Sequence, residues 1–301
     1  MAEEHIKVLS SIKYIQIVGI FNRTISKAMY LKKKYKIKKI YTDIDIMYHD
    51  SNADGVVVAI AVDVLMKYSK QIFKHPWNCL VEKPLGINYK ECKKIVKNCK
   101  FKNKINLALN RRFYVSTKYL LKTIKNKSKK KPIIIEVDDQ QDQILLKTKV
   151  NTRILNNYMF ANSIHLIDFF NILCRGNVIN IKKINKWKNF QKNIFCCYIY
   201  FSSGDIGIYK AVWNMPGPWS VKAYINDQVF QMKPLEKIHI RNNMSRKDKE
   251  VKLDYSDDLK FKPGVKSLIN NFVKSCNKQN HSLPNLKDSI KVMKLIYNIY
   301  K

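Results

Sequence analysis

Apolar and polar positions along the first third of the chain follow a pattern typical of strands and helices in alternation. The continuous apolar run within residues 54–61 predicts a strand buried on both faces, as in the centre of a parallel sheet. Further strands are predicted over residues 14–21, 77–83 and 104–110. Amphipathic spacing predicts helices over residues 26–35, 64–73 and 89–99. Strand, helix and strand at this spacing indicate an α/β fold with a doubly wound parallel sheet.

The pattern changes after residue 131. A long helix is predicted over residues 157–174, and short strands without intervening helices indicate an antiparallel sheet. These strands are expected over residues 132–137, 194–201, 206–212 and 221–225. The tail, residues 264–301, is expected to be helical with a break near residues 280–284. A chain of 301 residues would normally form two domains. We expect them over residues 1–112 and 113–301, with the C-terminal helices packing back towards the first domain.

The tripeptide Glu82-Lys83-Pro84 ends the apolar run of one predicted strand. In an open parallel sheet, the carboxyl end of a strand is where ligands bind. Pro84 fixes the direction of the chain as it leaves the strand, because its φ is locked. A lysine held there, partly out of water, can take part in proton transfer. On the tripeptide alone, a solvated strand end in a lysine-rich chain is the competing interpretation.

Charge and cysteine content exclude several classes of protein. The net charge of +34 suggests a nucleic-acid binder, but its lysines are spread over the whole chain and no zinc-finger or RNP signature accompanies them. We therefore expect no specific nucleic-acid partner. No apolar run reaches ~18 residues and no signal-peptide pattern is present, so we expect a cytoplasmic protein without a membrane partner. The seven cysteines contain no CxxC pair, so no metal site or disulfide framework is expected.

Four segments, in order and spacing, resemble one family. They are VVVAIAV followed by LVEKPLG, NRRF at residues 110–113, ANSIHLIDFF at residues 161–170, and KPGVKSLINNF near the C-terminus. Together they resemble the Gfo/Idh/MocA family of NAD(P)-dependent oxidoreductases over essentially the whole chain. The resemblance implies a Rossmann-type sheet, then an α+β domain with a large, mostly antiparallel sheet. It also implies a dimer or tetramer that transfers hydride between NAD(P) and a sugar or nucleotide-sugar. The segment WNMPGPWSV is most similar to members of bacterial surface-polysaccharide pathways.

The resemblance also implies roles for individual residues. Lys83 would be the catalytic lysine, and His165 the general acid/base. The residues implied in substrate binding are Tyr158, Asn162 and Asp168. The residues implied in cofactor binding are Ala2, Asn22, Arg23, Glu82, Lys83, Pro84, Asn110 and Arg112, with Arg111 beside them.

Each role has a structural alternative. Apolar neighbours surround His165, so it could be a core histidine. Asp168 could orient the imidazole, contact substrate or do purely structural work, and Arg111 and Arg112 could be an ordinary basic strand end. Trp213 and Trp219 could equally be core residues or a platform for sugar stacking. The chain also departs from the family pattern. Ala161 stands where many members have Asp, Ser163 where many have Gly, and Ile60-Ala61 where Thr-Pro is usual.

Cofactor choice is set at the end of the second strand of such a sheet, where an acidic residue favours NAD and an arginine accepts the 2′-phosphate of NADP. The chain has Asn22-Arg23 there, which favours NADP over NAD. It has no G-x-G-x-x-G turn, and its first nine residues read as the helix that should follow that turn. One hypothesis is that Met1 is an internal methionine of the turn. The other is an inactive, truncated homologue that serves as a sugar-binding or scaffold protein.

Overall fold

The fold is that of a computed structural model, which describes residues 1–127, 131–187 and 194–301. The chain forms two compact units. The first consists of Met1–Gly86, Lys90–Asn110 and Ser256–Ser289. The second consists of Ile87–Tyr89, Arg111–Tyr255 and Ile290–Lys301.

Short strands and helices alternate up to residue 107. In chain order the elements are α1 (Ala2–Leu9), β1 (Gly19–Phe21), α2 (Ile25–Tyr35), β2 (Lys39–Tyr41), α3 (Ile44–Ser51), β3 (Gly55–Val58), α4 (Val62–Phe73), β4 (Asn78–Val81), α5 (Tyr89–Asn98) and β5 (Ile105–Leu107). Two later helices, α10 (Ser256–Lys260) and α11 (Val265–Cys276), also belong to the first unit.

The parallel strands of the first unit form two separate sheets within the described residues, one of β1 and β2 and one ordered β3-β4-β5. A cavity of about 610 Å³ is lined by residues of both β1 and β3, and β2 contributes no residue to its wall. The strand predicted over residues 14–21 is therefore too long. Only Gly19–Phe21 pairs, while residues 14–18 line the same cavity without strand pairing. A strand edge without a partner leaves its backbone groups unpaired.

Apolar side chains of α1, α2 and the connecting segments pack beside this cavity. The buried members of the cluster are Ile6, Leu31 and Ile37, and the half-buried Ile17, Ile20 and Tyr35 pack against them. This cluster holds α1 in place through the inward-facing stripe of an amphipathic helix.

The second unit is built around one large sheet. Its elements in chain order are a 3₁₀ turn (Asn110–Phe113), α6 (Val115–Lys127), β6 (Ile134–Asp139), α7 (Gln143–Lys147), α8 (Thr152–Leu155), a π-helical turn (Met159–Ser163), α9 (Ile164–Leu173), β7 (Val178–Lys183), β8 (Ile194–Phe201), β9 (Ile206–Val212), β10 (Ser220–Ile225), β11 (Gln228–Met232), β12 (His239–Asn242), β13 (Lys249–Glu250) and α12 (Leu286–Tyr300).

In the described part of the chain, the strand order is β13-β12-β11-β10-β6-β9-β8-β7. Every neighbouring pair is antiparallel except β6 with β9, so the sheet is mostly antiparallel, as predicted. Burial alternates along β8 and β9, which is the pattern of a sheet with one face on a core. Helix α9 packs on that face, where Phe170 meets the ring of Tyr209 edge-on.

The long helix predicted over residues 157–174 is not continuous. A π-helical turn over Met159–Ser163 precedes α9, and the side chains of α9 are almost all buried. Single π turns inside helices occur frequently at functional sites, because they change the direction in which side chains project. In this chain the π turn carries Asn162 and leads directly into the helix of His165.

Candidate functional site

The carboxyl ends of β3, β4 and β5 are aligned by backbone hydrogen bonds in the first unit. The amide of Glu82 donates to the carbonyl of Val58 at 2.9 Å, and the amide of Ala108 donates to that of Val81 at 2.8 Å. Glu82-Lys83-Pro84 therefore leaves β4 at the sheet edge where the sequence placed it. Pro84 is buried and Lys83 is half-buried.

Glu82 forms a buried pair with a residue that the sequence did not single out. The Nε2 atom of His5 lies 2.6 Å from Oε1 of Glu82, and the two side chains are only 1% and 11% exposed. His5 lies on α1, on the face that also buries Ile6 and Val8. A histidine on the inward stripe of an amphipathic helix was the available indication in the sequence. This pair fixes the end of β4 against α1.

Three residues expected to bind cofactor, Ala2, Asn22 and Arg23, all line the cavity of the first unit. Oδ1 of Asn22 accepts a hydrogen bond from the amide of Thr24 at 2.9 Å, which shapes the turn into α2. Arg23 is exposed beside it. A 2′-phosphate would find a cation at this position.

The start of α1 fits the pyrophosphate of a dinucleotide. The helix begins at the small residue Ala2, and no side chain caps its first turn. The amino end of a helix attracts anions through its free N–H groups. The carboxylate of Glu3 accepts hydrogen bonds from Lys34 at 2.7 Å and Tyr35 at 3.0 Å, which lower its pKa and orient it towards α2. The residues present therefore fit the adenosine and pyrophosphate parts of NAD(P).

Asn110 is buried and has a structural partner in the first unit. Its Nδ2 donates to the carbonyl of Pro263 at 3.1 Å, just before α11 begins. This bond fixes the end of the segment that follows β5.

In the second unit, Asp168 lies on the same face of α9 as His165, and both are buried. Arg112 binds Asp168 through two bonds, from Nε to Oδ2 at 2.6 Å and from a terminal nitrogen to Oδ1 at 2.7 Å. Both carboxylate oxygens thus face a guanidinium group, a geometry with strong directional preference. The contact with Arg112 is a structural role for Asp168, and a substrate contact of Asp168 stays a prediction.

The two tryptophans of the segment WNMPGPWSV have different environments. Trp213 is 1% exposed and meets Trp187 edge-on at 4.7 Å between ring centroids, so it is a core residue. Trp219 is half-buried, with its ring centroid 6.5 Å from that of His165. The guanidinium carbon of Arg111 lies 4.7 Å from the centroid of Trp219. Trp219 thus belongs to the surroundings of the candidate catalytic histidine.

Residues just after β6 hold Trp219 in place. The indole Nε1 of Trp219 donates to the carbonyl of Gln140 at 2.7 Å, and the side-chain amide of Gln140 donates to the carbonyl of Pro216 at 3.0 Å. Gly217 has a φ of +132°, and a Cβ atom there would overlap the Gln140 side chain. The turn is therefore fixed at both of its sides.

A buried polar network supports the π turn. Nδ2 of Asn162 donates to Oε1 of Gln141 at 2.8 Å, and Nε2 of Gln141 donates to Oδ1 of Asp139 at 2.6 Å. The hydroxyl of Tyr209 donates to the other oxygen of Asp139 at 2.5 Å and lies 2.6 Å from the hydroxyl of Tyr300. Burial raises the pKa of Asp139 despite these bonds. Sequence reasoning missed Asp139 and Gln141, although a polar run directly after an apolar strand indicated them.

Tyr158, expected to bind substrate, stands at the amino end of the π turn and is half-buried. Burial, and then the charge of Asp139, raise the pKa of its phenol, so it stays protonated near neutral pH. It can therefore donate a hydrogen bond.

Two negative findings apply to the described residues only. They contain no group of three or more His, Cys, Asp or Glu side chains placed to hold a metal ion. None of the helices in this part of the chain is long and apolar enough to cross a membrane.

Comparison with known proteins agrees with this geometry. Residues 1–110 match the sequence model of the Gfo/Idh/MocA oxidoreductase family, described as having an NAD-binding Rossmann fold. Residues 1–110 are thus similar to the NAD-binding domain of this family. The matched region contains α1, the cavity and Glu82-Lys83-Pro84. No protein with curated function matches the sequence at significant similarity.

Solved structures extend the likeness to the fold of the second unit. UDP-N-acetylglucosamine 3-dehydrogenase from Acidithiobacillus ferrooxidans is similar with a TM-score of 0.76 and 13% identity, over 98% of this chain and 92% of that one. A putative NADPH-dependent oxidoreductase from Desulfitobacterium hafniense is similar with a TM-score of 0.80 and 13% identity, over 99% of this chain and 91% of that one. Levoglucosan dehydrogenase in complex with NADH and levoglucosan is similar with a TM-score of 0.79 and 14% identity, over 98% of this chain and 91% of that one. At such identities the likeness establishes the fold, and it confirms the predicted fold class.

Proposed function

We propose that this protein is an NAD(P)-dependent dehydrogenase or reductase that acts on a hydroxyl or keto group of a sugar or nucleotide-sugar in surface-polysaccharide metabolism. The observation that carries the proposal is the position of Glu82-Lys83-Pro84 at the carboxyl end of β4, inside the region that matches the family. Similar structures include dehydrogenases of UDP-N-acetylglucosamine and levoglucosan, which supports a sugar substrate.

Lys83 is the proposed catalytic lysine. Its ammonium group would orient the reacting hydroxyl and stabilise negative charge on that oxygen as the proton leaves. The His5–Glu82 pair fixes the preceding residue, so the backbone at Lys83 is held where β4 ends.

His165 is the proposed general acid/base. Imidazole titrates near neutral pH and can take a proton from a hydroxyl or return one to a carbonyl oxygen. Its position on α9 is fixed by burial and by the ion pair that Asp168, one turn further, makes with Arg112. Tyr158 and Asn162 are the proposed substrate-binding residues beside it.

NADP is the proposed cofactor in preference to NAD, because Arg23 can accept a 2′-phosphate and Asn22 removes the acid that would repel it. Ala2, Asn22 and Arg23 would hold its adenosine and pyrophosphate parts. Lys83, Pro84, Asn110 and Arg112 are proposed to lie towards its nicotinamide. When bound, the nicotinamide supplies the carbon that accepts or donates the hydride.

We further propose a cytoplasmic homodimer or homotetramer. Association would use the sheet face opposite α9. On that face Tyr198, Ile208 and Tyr224 are half-buried or exposed around the ion pairs of Lys210 with Glu136 and Asp138. Light scattering during size-exclusion chromatography measures the mass of the assembly directly.

The experiment that tests the function is a turnover assay. The full chain is incubated with NAD⁺ or NADP⁺ and a panel of free sugars and UDP-sugars, and the nicotinamide absorbance is followed. We expect one class of sugar to be oxidised. Lys83→Met and His165→Asn should each lower kcat by about a hundredfold or more, the usual contribution of a proton-transfer group. Lys70→Met, at an exposed position on α4, is the matched control and should leave the rate unchanged.

One observation favours a second candidate function. The sheet of the first unit is split in the described residues, with a cavity along β1 and β3 where the two parts lack a shared strand. A protein with this defect could still bind sugar through the second unit and serve as a sugar-binding or scaffold protein without turnover. Sugar binding that leaves NAD(P) unbound would support this alternative.

A further inference from the structure

Two adjacent arginines, Arg111 and Arg112, begin the longest segment of the second unit, and they have opposite electrostatic environments. Arg112 is neutralised by Asp168 through two short bonds. Arg111 forms no ion pair with any described residue, and its Nε is buried without a hydrogen-bond partner there. Burying an arginine without a carboxylate costs free energy, so such a group is informative.

The surroundings of Arg111 keep it charged but offer it no anion in contact. Burial lowers its pKa, while Tyr114 and the carboxylate of Glu236 oppose that shift through longer-range attraction. An arginine remains protonated under these conditions. Its guanidinium carbon lies over the ring of Trp219, 4.7 Å from the ring centroid. Stacking leaves the in-plane N–H groups available for a ligand.

The position of Trp219 relates this charge to the proposed chemistry. Its ring is fixed by the bond to Gln140 and lies beside the ring of His165. A group bound at Arg111 would therefore lie near the histidine that handles the proton. Exposed lysines elsewhere in this basic chain are screened by salt, whereas a half-buried guanidinium such as that of Arg111 is screened less.

We propose that Arg111 and Trp219 form a subsite for an anionic group of the substrate, so that the enzyme acts on a sugar bearing carboxylate or phosphoryl oxygens. This inference rests on the proposed function and narrows its substrate class. A guanidinium binds carboxylate and phosphate oxygens through paired N–H bonds, which a neutral sugar cannot replace. A sugar acid and a nucleoside-diphosphate sugar are the two sources of this chemistry.

The test is a ligand titration that needs no turnover. The full chain is titrated with glucuronate, UDP and glucose at about 150 mM salt, and tryptophan fluorescence is recorded. The Trp219→Phe variant shows whether Trp219 reports the binding. We expect an anionic probe to quench the fluorescence saturably and glucose to have little effect. A response to UDP alone identifies a phosphoryl group, and a response to glucuronate alone identifies a carboxylate.

Variants of Arg111 decide the assignment. Arg111→Gln should weaken the responding anion about tenfold or more, because a charge-assisted hydrogen bond is lost. Arg111→Lys keeps the charge but not the stacked fork, so binding should be intermediate. Arg246→Gln, at an exposed position, controls for the loss of one positive charge and should bind as the parent does.

The inference would be overturned if Arg111→Gln kept the parent's circular dichroism and bound the anion as tightly as the parent does. It would also be overturned if glucose bound as tightly as both anions. The turnover assay tests the proposed function separately. If anion binding depends on Arg111 but no hydride is transferred, the subsite is supported and the dehydrogenase function is rejected. If only neutral sugars are turned over, the dehydrogenase function is supported and the anion subsite is rejected.

Discussion

Arg112 and Asp168, 56 residues apart in sequence, are joined by two hydrogen bonds of 2.6 and 2.7 Å, with side chains only 14% and 5% exposed. The pair attaches the turn after β5 to the centre of α9, three residues beyond His165. It therefore fixes the helix that carries the proposed acid/base.

We expect Asp168→Asn to lower the free energy of unfolding by about 3 kcal/mol, because it removes the buried carboxylate charge that faces the Arg112 guanidinium. Urea unfolding near neutral pH measures this difference. Asp248→Asn is the matched control, since Asp248 binds Arg241 in a similar two-bond geometry but both side chains are more than a third exposed. That variant should lose at most about 1 kcal/mol. Equal losses in the two variants would contradict the structural role of the buried pair.

Asp205 should make the protein sensitive to acid. Its side chain is fully buried and accepts hydrogen bonds from the side chain and amide of Arg175 and from the amide of Ile133. Burial alone would raise the pKa of Asp205, but these bonds lower it overall. The stabilisation is therefore present above the unfolded value of about 3.9 and is lost as pH falls through the lower, folded pKa.

Asp205→Asn should therefore lower the free energy of unfolding by about 2 kcal/mol near neutral pH. The loss should be smaller at about pH 3, because the carboxylate of the parent contributes less there. Thermal unfolding of the parent and the variant across this range provides the comparison. A difference between them that does not depend on pH would show that the carboxylate charge contributes nothing.

Asp139 should have the opposite pH dependence, because burial raises its pKa. Stability linked to the protonated carboxyl is present below about pH 4 and is lost as pH rises through the folded pKa. Asp139→Asn does not titrate, so its stability relative to the parent should improve over that rise in pH. The neighbouring Asp138→Asn is the control with the reverse sign. Burial alone would raise the pKa of Asp138, but hydrogen bonds from Lys210 and Ser220 lower that pKa overall. If the stability of both variants relative to the parent changed in the same direction with pH, the raised pKa of Asp139 would be refuted.

The edge of β3 that lines the cavity should be less stable than the centre of its sheet, which is β4. Among the described residues β3 pairs only with β4, whereas β4 is paired on both sides. We expect amides of Gly55–Val58 to exchange with deuterium faster than those of Asn78–Val81, because an open edge is accessible to water. Hydrogen exchange followed by mass spectrometry resolves these segments. Equal protection in both would mean that the edge of β3 is covered in solution.

Local patterns predicted the parts of the fold that are determined locally. The apolar run at residues 56–58 and the periodic apolar residues of α4 and α11 identified their elements, because burial of a strand or of a helix face leaves a direct mark on the sequence. The strand β2, Lys39–Tyr41, was missed because three residues with an exposed lysine have no clear period. Strand 14–21 was extended too far, because pairing depends on a neighbouring strand that a local pattern does not reveal.

The candidate site divides in the same way. Lys83 and His165 stand in motifs that are contiguous in sequence, so the sequence could single them out. The bond between Asn162 and Gln141 joins residues 21 positions apart. The contact between Arg111 and Trp219 joins residues more than a hundred positions apart. Only the packed sheet brings those residues together.

We propose above all that this chain binds a nicotinamide dinucleotide at α1 and the residues after β1. The most direct measurement is a fluorescence titration of the full chain with NADPH and with NADH at about 150 mM salt. We expect saturable binding that is tighter for NADPH than for NADH, and the reverse preference in Arg23→Glu. Absence of saturable binding of either dinucleotide to a folded chain would contradict it.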